Sequence, residues 1–285
     1  MAFERPPQTR IFAPDLFSDQ VIFITGGGTG MGLELSRGLV SLGANVVIGS
    51  RDPEHHKEFL EFAETSPGSG LAVPLDVTSA ASVRGAIDTT IEKFGRVDAL
   101  VNNAAGNFIM PTEKMREQAW RSVVSIALDG TFLCSREFGK VMLKQGDGQI
   151  LSIVATYAWT GMPGVAHSAA AKAGVLALTR TLAREWGGRG VRANALAPGA
   201  FDSEGASPNL WPNDEIKERI REAIPLKRFA TAQEISTHAL YLLSPACTYL
   251  NGEVLTADGG GWLGPMTVDP AEDMKARREL RKASK

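Results

Sequence analysis

Short apolar runs recur along the chain at intervals that leave room for a helix between one and the next. They are Val21-Ile-Phe-Ile-Thr25, Ala44-Asn-Val-Val-Ile48, Leu71-Ala-Val-Pro-Leu75, Val97-Asp-Ala-Leu-Val101, Gln149-Ile-Leu-Ser-Ile-Val154, Val191-Arg-Ala-Asn-Ala-Leu196 and Gly252-Glu-Val-Leu-Thr256. Runs so short and so continuously apolar fit strands covered on both faces, and the segments between them carry apolar positions at helical spacing. The pattern predicts an α/β fold: a doubly wound parallel sheet with seven strands, and ligands at their carboxyl ends. Pro, Gly, Ser, Asp and Asn cluster from Ala197 to Pro212, which reads as a long loop over that rim with the character of a lid. After Pro265 the composition turns polar and charged, so residues 1–265 read as one domain and 266–285 as a polar C-terminal tail.

The first run breaks into Gly26-Gly-Gly28-Thr29-Gly30-Met31-Gly32 before helical spacing resumes. In a turn from strand to helix, glycines allow close approach to an anion, and the free amides of the new helix face it. Gly26, Gly28, Thr29, Gly30 and Met31 are therefore candidate contacts for the pyrophosphate of a dinucleotide. The second run ends in Gly49-Ser50-Arg51, where a βαβ unit places the residue that reads the ribose. An acidic residue there would accept from both ribose hydroxyls. Ser50 and Arg51 offer donors and a cation to a 2′-phosphate instead, so the expected cofactor is NADPH, with roughly 1.5–3 kcal/mol available from one charge-assisted contact.

The other candidates follow later strands. Asp76 and Val77 come after the third run, Asn103, Ala104, Ala105, Gly106, Asn107 and Phe108 after the fourth, Tyr157 after the fifth, and Pro198 with Gly199 after the sixth. Bulk properties narrow the field further. A net charge of −2 with interspersed signs gives no basic stripe for nucleic acid. No apolar stretch approaches the roughly 18–20 residues of a membrane span, and the N-terminal residues lack a signal-peptide core. The two cysteines, Cys134 and Cys247, give no support for a disulfide framework, so a cytoplasmic location is expected. The four histidines show no ligand spacing, and no metal site is expected.

Thr25-Gly-x-x-x-Gly-x-Gly32, Asp76-Val77, Asn102-Asn103-Ala-Ala-Gly106, Lys172 and Pro198-Gly199 together resemble the short-chain dehydrogenase/reductase family over nearly the whole chain. The resemblance implies a Rossmann-like sheet of order 3-2-1-4-5-6-7, an adenine contact from Asp76, Lys172 on the nicotinamide ribose, and a homotetramer. Most members carry a Tyr four residues before the Lys, a Ser about thirteen before that Tyr, and an Asn in the preceding long helix. Here those positions hold Ser168, Ala155 and Ala127. An aliphatic hydroxyl is a far weaker acid than a phenol, so carbonyl reduction by the usual route is not expected.

Tyr157, Ser168 before Lys172, and Asn-Asn-Ala-Ala-Gly-Asn-Phe108 are together similar to the mitochondrial-type 2,4-dienoyl-CoA reductases. That subgroup implies NADPH-dependent reduction of a conjugated acyl-CoA thioester to a 3-enoyl-CoA, with a Tyr and an Asn donating to the thioester oxygen. Tyr157 matches the Tyr, but the Asn position, just before Gly130, is Asp129. A carboxylate cannot donate to an oxyanion, which leaves three resolutions: Asp129 is kept protonated by burial, it orients Tyr157 from behind, or the substrate differs. Asn107, Phe108, Trp159 and Met162 are expected to line the acyl site with Tyr157 and Ser168. Arg180, Arg184, Arg189 and Lys227 are candidates for the CoA phosphates. The alternatives are a 2-enoyl or 3-ketoacyl thioester reductase using Tyr157, and a non-catalytic NADPH-binding sensor or scaffold.

Overall fold

All five residues of Val21–Thr25, the first strand (β1), are buried, as a strand covered on both faces requires. In the computed structural model, which describes residues 11–202, 213–264 and Met274, further strands are β2 (Asn45–Ser50), β3 (Ser69–Pro74), β4 (Ala99–Asn102), β5 (Gly148–Ile153) and β6 (Val191–Pro198). After them come the short β7 (Phe201–Asp202) and β8 (Ala230–Thr231), and then β9 (Val254–Ala257). Seven strands form one sheet in the order β3-β2-β1-β4-β5-β6-β9, all parallel, while β7 and β8 pair apart from it. The expected α/β architecture and strand order are thus observed. β4 begins later than its apolar run because the backbone of Val97 bonds to the Gln145 side chain at both N–H and C=O.

Helices cover both faces. α1 (Gly30–Ser41), α2 (Lys57–Glu64) and α9 (Ala232–Leu243) pack on one, around Leu35, Leu39, Phe59 and Leu240. α3 (Ala80–Phe94), α5 (Gly130–Gln145) and α7 (Ala166–Trp186) pack on the other, around Val83, Phe138, Met142 and Leu182. Among the described residues, further α-helices are α4 (Glu117–Val124), α6 (Tyr157–Thr160) and α8 (Asp214–Ala223), and a π turn over Ser125–Asp129 joins α4 to α5. Strong local signals fix several ends: Ser79 caps α3, Gly95 closes it with φ +77°, and Thr231 with Glu234 forms a capping box on α9.

Because every strand of the main sheet is parallel, Thr25, Ser50, Asn102, Ile153 and Pro198 end at one edge. β1 and β4 are neighbours there although the strands after each run outward in opposite directions, and such a reversal opens a crevice. No helix among the described residues is long and apolar enough to cross a membrane. The tail expected over 266–285, apart from Met274, and most of the loop expected to act as a lid lie outside the described residues.

Candidate active site

The crevice is a cleft of about 1820 Å³. That exceeds the roughly 300–1,000 Å³ of a single small-molecule pocket and leaves space for a dinucleotide and a second molecule together. Its floor on one side is the glycine turn. Gly26 and Gly30 have φ of +65° and +52°, a region closed to most side chains. A Cβ at Gly28 would stand 1.7 Å from the carbonyl oxygen of His55, and one at Gly32 would stand 2.2 Å from the carbonyl oxygen of Gly26. The turn is stitched to the loop after β4: the Thr25 hydroxyl accepts from the amides of Asn103 and Ala104, and the Asn103 amide donates to the carbonyls of Thr25 and Gly26. Thr29, extended at φ −144°, precedes α1 without capping it, so the first-turn amides have no side-chain acceptor there. This cradle fits a pyrophosphate.

Beyond it lie Ser50, Arg51, Asp76 and Val77, all lining the cleft. The Ser50 hydroxyl donates to the carbonyl of Asp52 and sits 2.8 Å from His56 Nε2. With its one proton so committed, Ser50 is not the donor to a 2′-phosphate that the sequence leads one to expect, and Arg51 is left as the cation there. Asp76 accepts from the Thr78 hydroxyl and amide, which hold its carboxyl below the usual range and fix it as an acceptor at the rim. Asn103, Ala104, Ala105, Gly106, Pro198 and Gly199 line the same cleft, as do Gly26, Thr29, Gly30 and Met31. Gly28 does not line it; its role is to let the Pro53–His56 turn close against the loop.

The other half of the cleft is built around Tyr157, the first residue of α6. Its hydroxyl is 3.0 Å from Ser168 Oγ, and Asn107 Nδ2 donates to it at 3.4 Å. The Asn107 amide is itself aimed, because its oxygen accepts from the Phe108 N–H at 3.0 Å. Burial pushes the Tyr157 phenol above its usual range, with the Ser168 contact opposing, so it is a protonated donor near neutral pH. Ser168 lies in the first turn of α7, which starts at Ala166 with Val165 at the cap; Ser168 is therefore not a cap. Behind it, buried His167 accepts from the Ser168 N–H through Nδ1 and packs edge-on to Phe108 at 4.5 Å. Lys172, one turn further on, is 6% exposed and donates to the carbonyl of Ile153 at 2.5 Å. Burial lowers its ammonium from 10.5 to about 8.

Four further expected site residues do not line the cleft, and one of them, the buried Ser168, meets it only through the Tyr157 hydroxyl. Asp129 is exposed, does not line the cleft and makes no hydrogen bond to Tyr157. Ala127 and Gly130 turn inward, and positions one or two along from them face another way, so neither burial nor support of Tyr157 applies to Asp129. Phe108 packs on His167 rather than lining the cleft, and Trp159 reaches it only through an edge-on contact with Trp262, which does line it. Sequence reasoning missed Trp262, Ile216, Arg219 and Ile220, which line the cleft from the C-terminal part of the chain. The signal was weak: only the i, i+4 spacing of Ile216 and Ile220 marks one face of α8.

A family model described as Enoyl-(Acyl carrier protein) reductase matches residues 26–261. A Bacillus subtilis (strain 168) protein named "Probable 2,4-dienoyl-CoA reductase [(2E)-enoyl-CoA-producing]" is 42% identical over 86% of this chain and 98% of its own length. A zebrafish (Danio rerio) protein named peroxisomal 2,4-dienoyl-CoA reductase [(3E)-enoyl-CoA-producing] is 38% identical over 90% of this chain and 85% of its own. The crystal structure of a short chain dehydrogenase from Bacillus anthracis, 44% identical, superposes with a TM-score of 0.78 over 85% of this chain and 96% of its own.

Proposed function

The chain belongs to the short-chain dehydrogenase/reductase family and is an oxidoreductase with a nicotinamide cofactor, and from that premise we propose that it reduces 2,4-dienoyl-CoA with NADPH. The observation that carries the reading is the cluster of Tyr157, Ser168 and Asn107, where a phenol is held by two neighbours at a position unlike that of the family's usual Tyr. Gly26, Thr29, Gly30 and Met31 would hold the pyrophosphate, Arg51 the 2′-phosphate, Asp76 and Val77 the adenine, Asn103 to Gly106 the adenosine side, and Lys172 the nicotinamide ribose, with Pro198 and Gly199 as further cofactor contacts. The bound cofactor supplies a hydride to C5 of the substrate.

The electron pairs displaced from C4=C5 and C2=C3 then move toward C1, leaving negative charge on the thioester oxygen and a double bond between C3 and C4. Tyr157 accepts from Asn107, and with Ser168 taking the donor role in their 3.0 Å contact the phenol proton points at that oxygen. Preorganised donors at such a position typically contribute 10²–10³ in rate each. Protonation at C2 gives a 3-enoyl product and protonation at C4 a 2-enoyl product. The oxygen clamp is the same for both, in keeping with the different products in the two relatives' names. We assign the 3-enoyl outcome, with water as the proton source to carbon.

Two further parts of the reading concern setting. Trp120 on α4 and Phe132 on α5 are 38% and 44% exposed and support a self-association face, for which we propose a homotetramer. The free, buried thiols of Cys134 and Cys247 suit a reducing cytoplasm. The test is to mix protein and NADPH with 2,4-dienoyl-, 2-enoyl- and 3-ketoacyl-CoA and identify the products. Turnover of the dienoyl ester alone is expected. Turnover of the 3-ketoacyl or 2-enoyl ester alone would replace the reading.

A further inference from the structure

One cation in the cleft has no task in the reading above. α8 turns Ile216, Ile220 and Ala223 toward the cleft, and Arg219 lines it with them. Arg219 is exposed and makes no hydrogen bond or ion pair among the described residues. That is unusual on this helix, where acidic partners are close: Glu215 and Glu222 stand four residues before and three after it. The next arginine, Arg221, does pair with Glu218, and Glu222 is taken by Lys227. Arg219 instead presents its guanidinium to the open space of the cleft.

The position excludes the cofactor's 2′-phosphate. The C-terminal end of α8 is anchored beside β9, since the Leu226 N–H just past it donates to the carbonyl of Gly259 and Ile224 packs on Gly259. Arg51 stands at the end of β2, and β2 and β6 are four places apart in the sheet. At a spacing of about 4.8 Å that is a separation of about 19 Å even before β9 is reached. Among the described residues, the charged side chains lining the cleft are Arg51, Asp52, Asp76, Lys172, Arg219 and Asp258. Lys172 is buried against a carbonyl, and Asp258 accepts from the amides of Gly260 and Trp262. Among the described residues, an anion arriving with the second molecule on the β6–β9 side therefore meets one free cation, Arg219.

We infer that Arg219 binds a phosphate of the substrate's CoA, and that α8 carries the specificity for CoA esters over thioesters without phosphates. This deepens the assignment of a dienoyl-CoA substrate and rests on it. Arg180, Arg184 and Arg189, the candidates from sequence, do not line the cleft, and Lys227 bonds to Glu222. A guanidinium forms two parallel bonds to a phosphate oxygen pair, which Lys reproduces only as a point charge.

The test compares wild type with Arg219→Gln and Arg219→Lys on 2,4-dienoyl-CoA and on the N-acetylcysteamine thioester of the same acid. NADPH affinity is measured separately by nucleotide fluorescence. Arg219→Gln is expected to raise KM for the CoA ester about tenfold, as loss of a charge-assisted contact does, with kcat, the N-acetylcysteamine KM and the NADPH Kd unchanged. Arg219→Lys is expected to recover part of the loss. Calorimetric titration of free CoA into the NADP⁺-loaded protein should show the same tenfold weakening in Arg219→Gln. Equal losses on both thioesters would mean packing rather than phosphate recognition, a weakened NADPH Kd would assign Arg219 to the cofactor, and no change in either ligand would make it a solvated side chain. Each of these overturns the inference while leaving dienoyl reduction standing. A wild-type protein inert toward both thioesters overturns dienoyl reduction itself, and this inference with it.

Discussion

The two halves of the cleft are built differently. Around β1, β2 and β4 the polar groups are already tied to one another: Thr25 to Asn103 and Ala104, Asn103 to the Thr25 and Gly26 carbonyls, Asp76 to Thr78, Ser50 to Asp52 and His56. Around β5 and α7 the links are fewer, with one phenol held by Asn107 and Ser168 and one ammonium held by a single carbonyl. The first half presents backbone, whose amides need only a fixed shape to hold a dinucleotide. The second presents side chains whose protons must move or be shared, and unsaturated hydrogen-bonding capacity there is what a reacting oxygen can use.

The sharpest test of that contrast is Tyr157→Phe. It should lower kcat on the dienoyl ester by about 10²–10³ and leave NADPH affinity, read by fluorescence titration, unaltered; a loss of cofactor affinity would erase the division between the halves. On the other side, Arg51→Ala should weaken NADPH binding by about 10- to 100-fold while the Kd for NADH stays as it was. If both cofactors weaken alike, the residue at the end of β2 does not read the 2′-phosphate.

pH separates the halves in a third way. Burial holds the Lys172 ammonium at about 8, against 10.5 for a free lysine. Its charged form is lost as pH rises through about 8, so kcat/KM should decline about tenfold per unit above that point. Stability moves oppositely. Between about 8 and 10.5 the folded state binds fewer protons than the unfolded one, and stability contributed by this group rises with pH across that window. Denaturant melts of wild type and Lys172→Met should differ in that slope, and parallel slopes would sever the link. The smallest effect is reserved for Asp129→Asn. An exposed carboxyl outside the cleft should change kcat and KM by less than about twofold, whereas a larger gain or loss would return Asp129 to the reacting centre.

Legibility in the sequence divides along the same line. The glycine turn, Arg51, Asp76 and Asn103 were visible because each follows a strand at short range and owes its place to backbone conformation. The parallel sheet was visible for a like reason, since apolar runs between helical segments admit few other arrangements. Tyr157 and Lys172 could be named from resemblance, but their surroundings could not. That Asn107 points at Tyr157, across fifty residues of chain, follows from where β4 and β5 end side by side. Asp129 shows the converse, because a polar residue at the expected place in the sequence is turned outward by the π turn that ends at it.

Taken alone, then, the order of residues determined the fold class, the alternation of strands and helices along the chain and the dinucleotide turn, because those depend on local periodicity and on glycines whose lack of a side chain is itself the information. Only the tertiary structure decided that Ser50 has spent its proton, that Lys172 is buried enough to titrate near 8, that Asp129 faces away, and that α8 brings Arg219 over the far side of the cleft. Hydrogen-bond partners, desolvation and the direction of a side chain are properties of what lies next to a residue in space, and neighbours in space here come from strands and helices far apart in the chain.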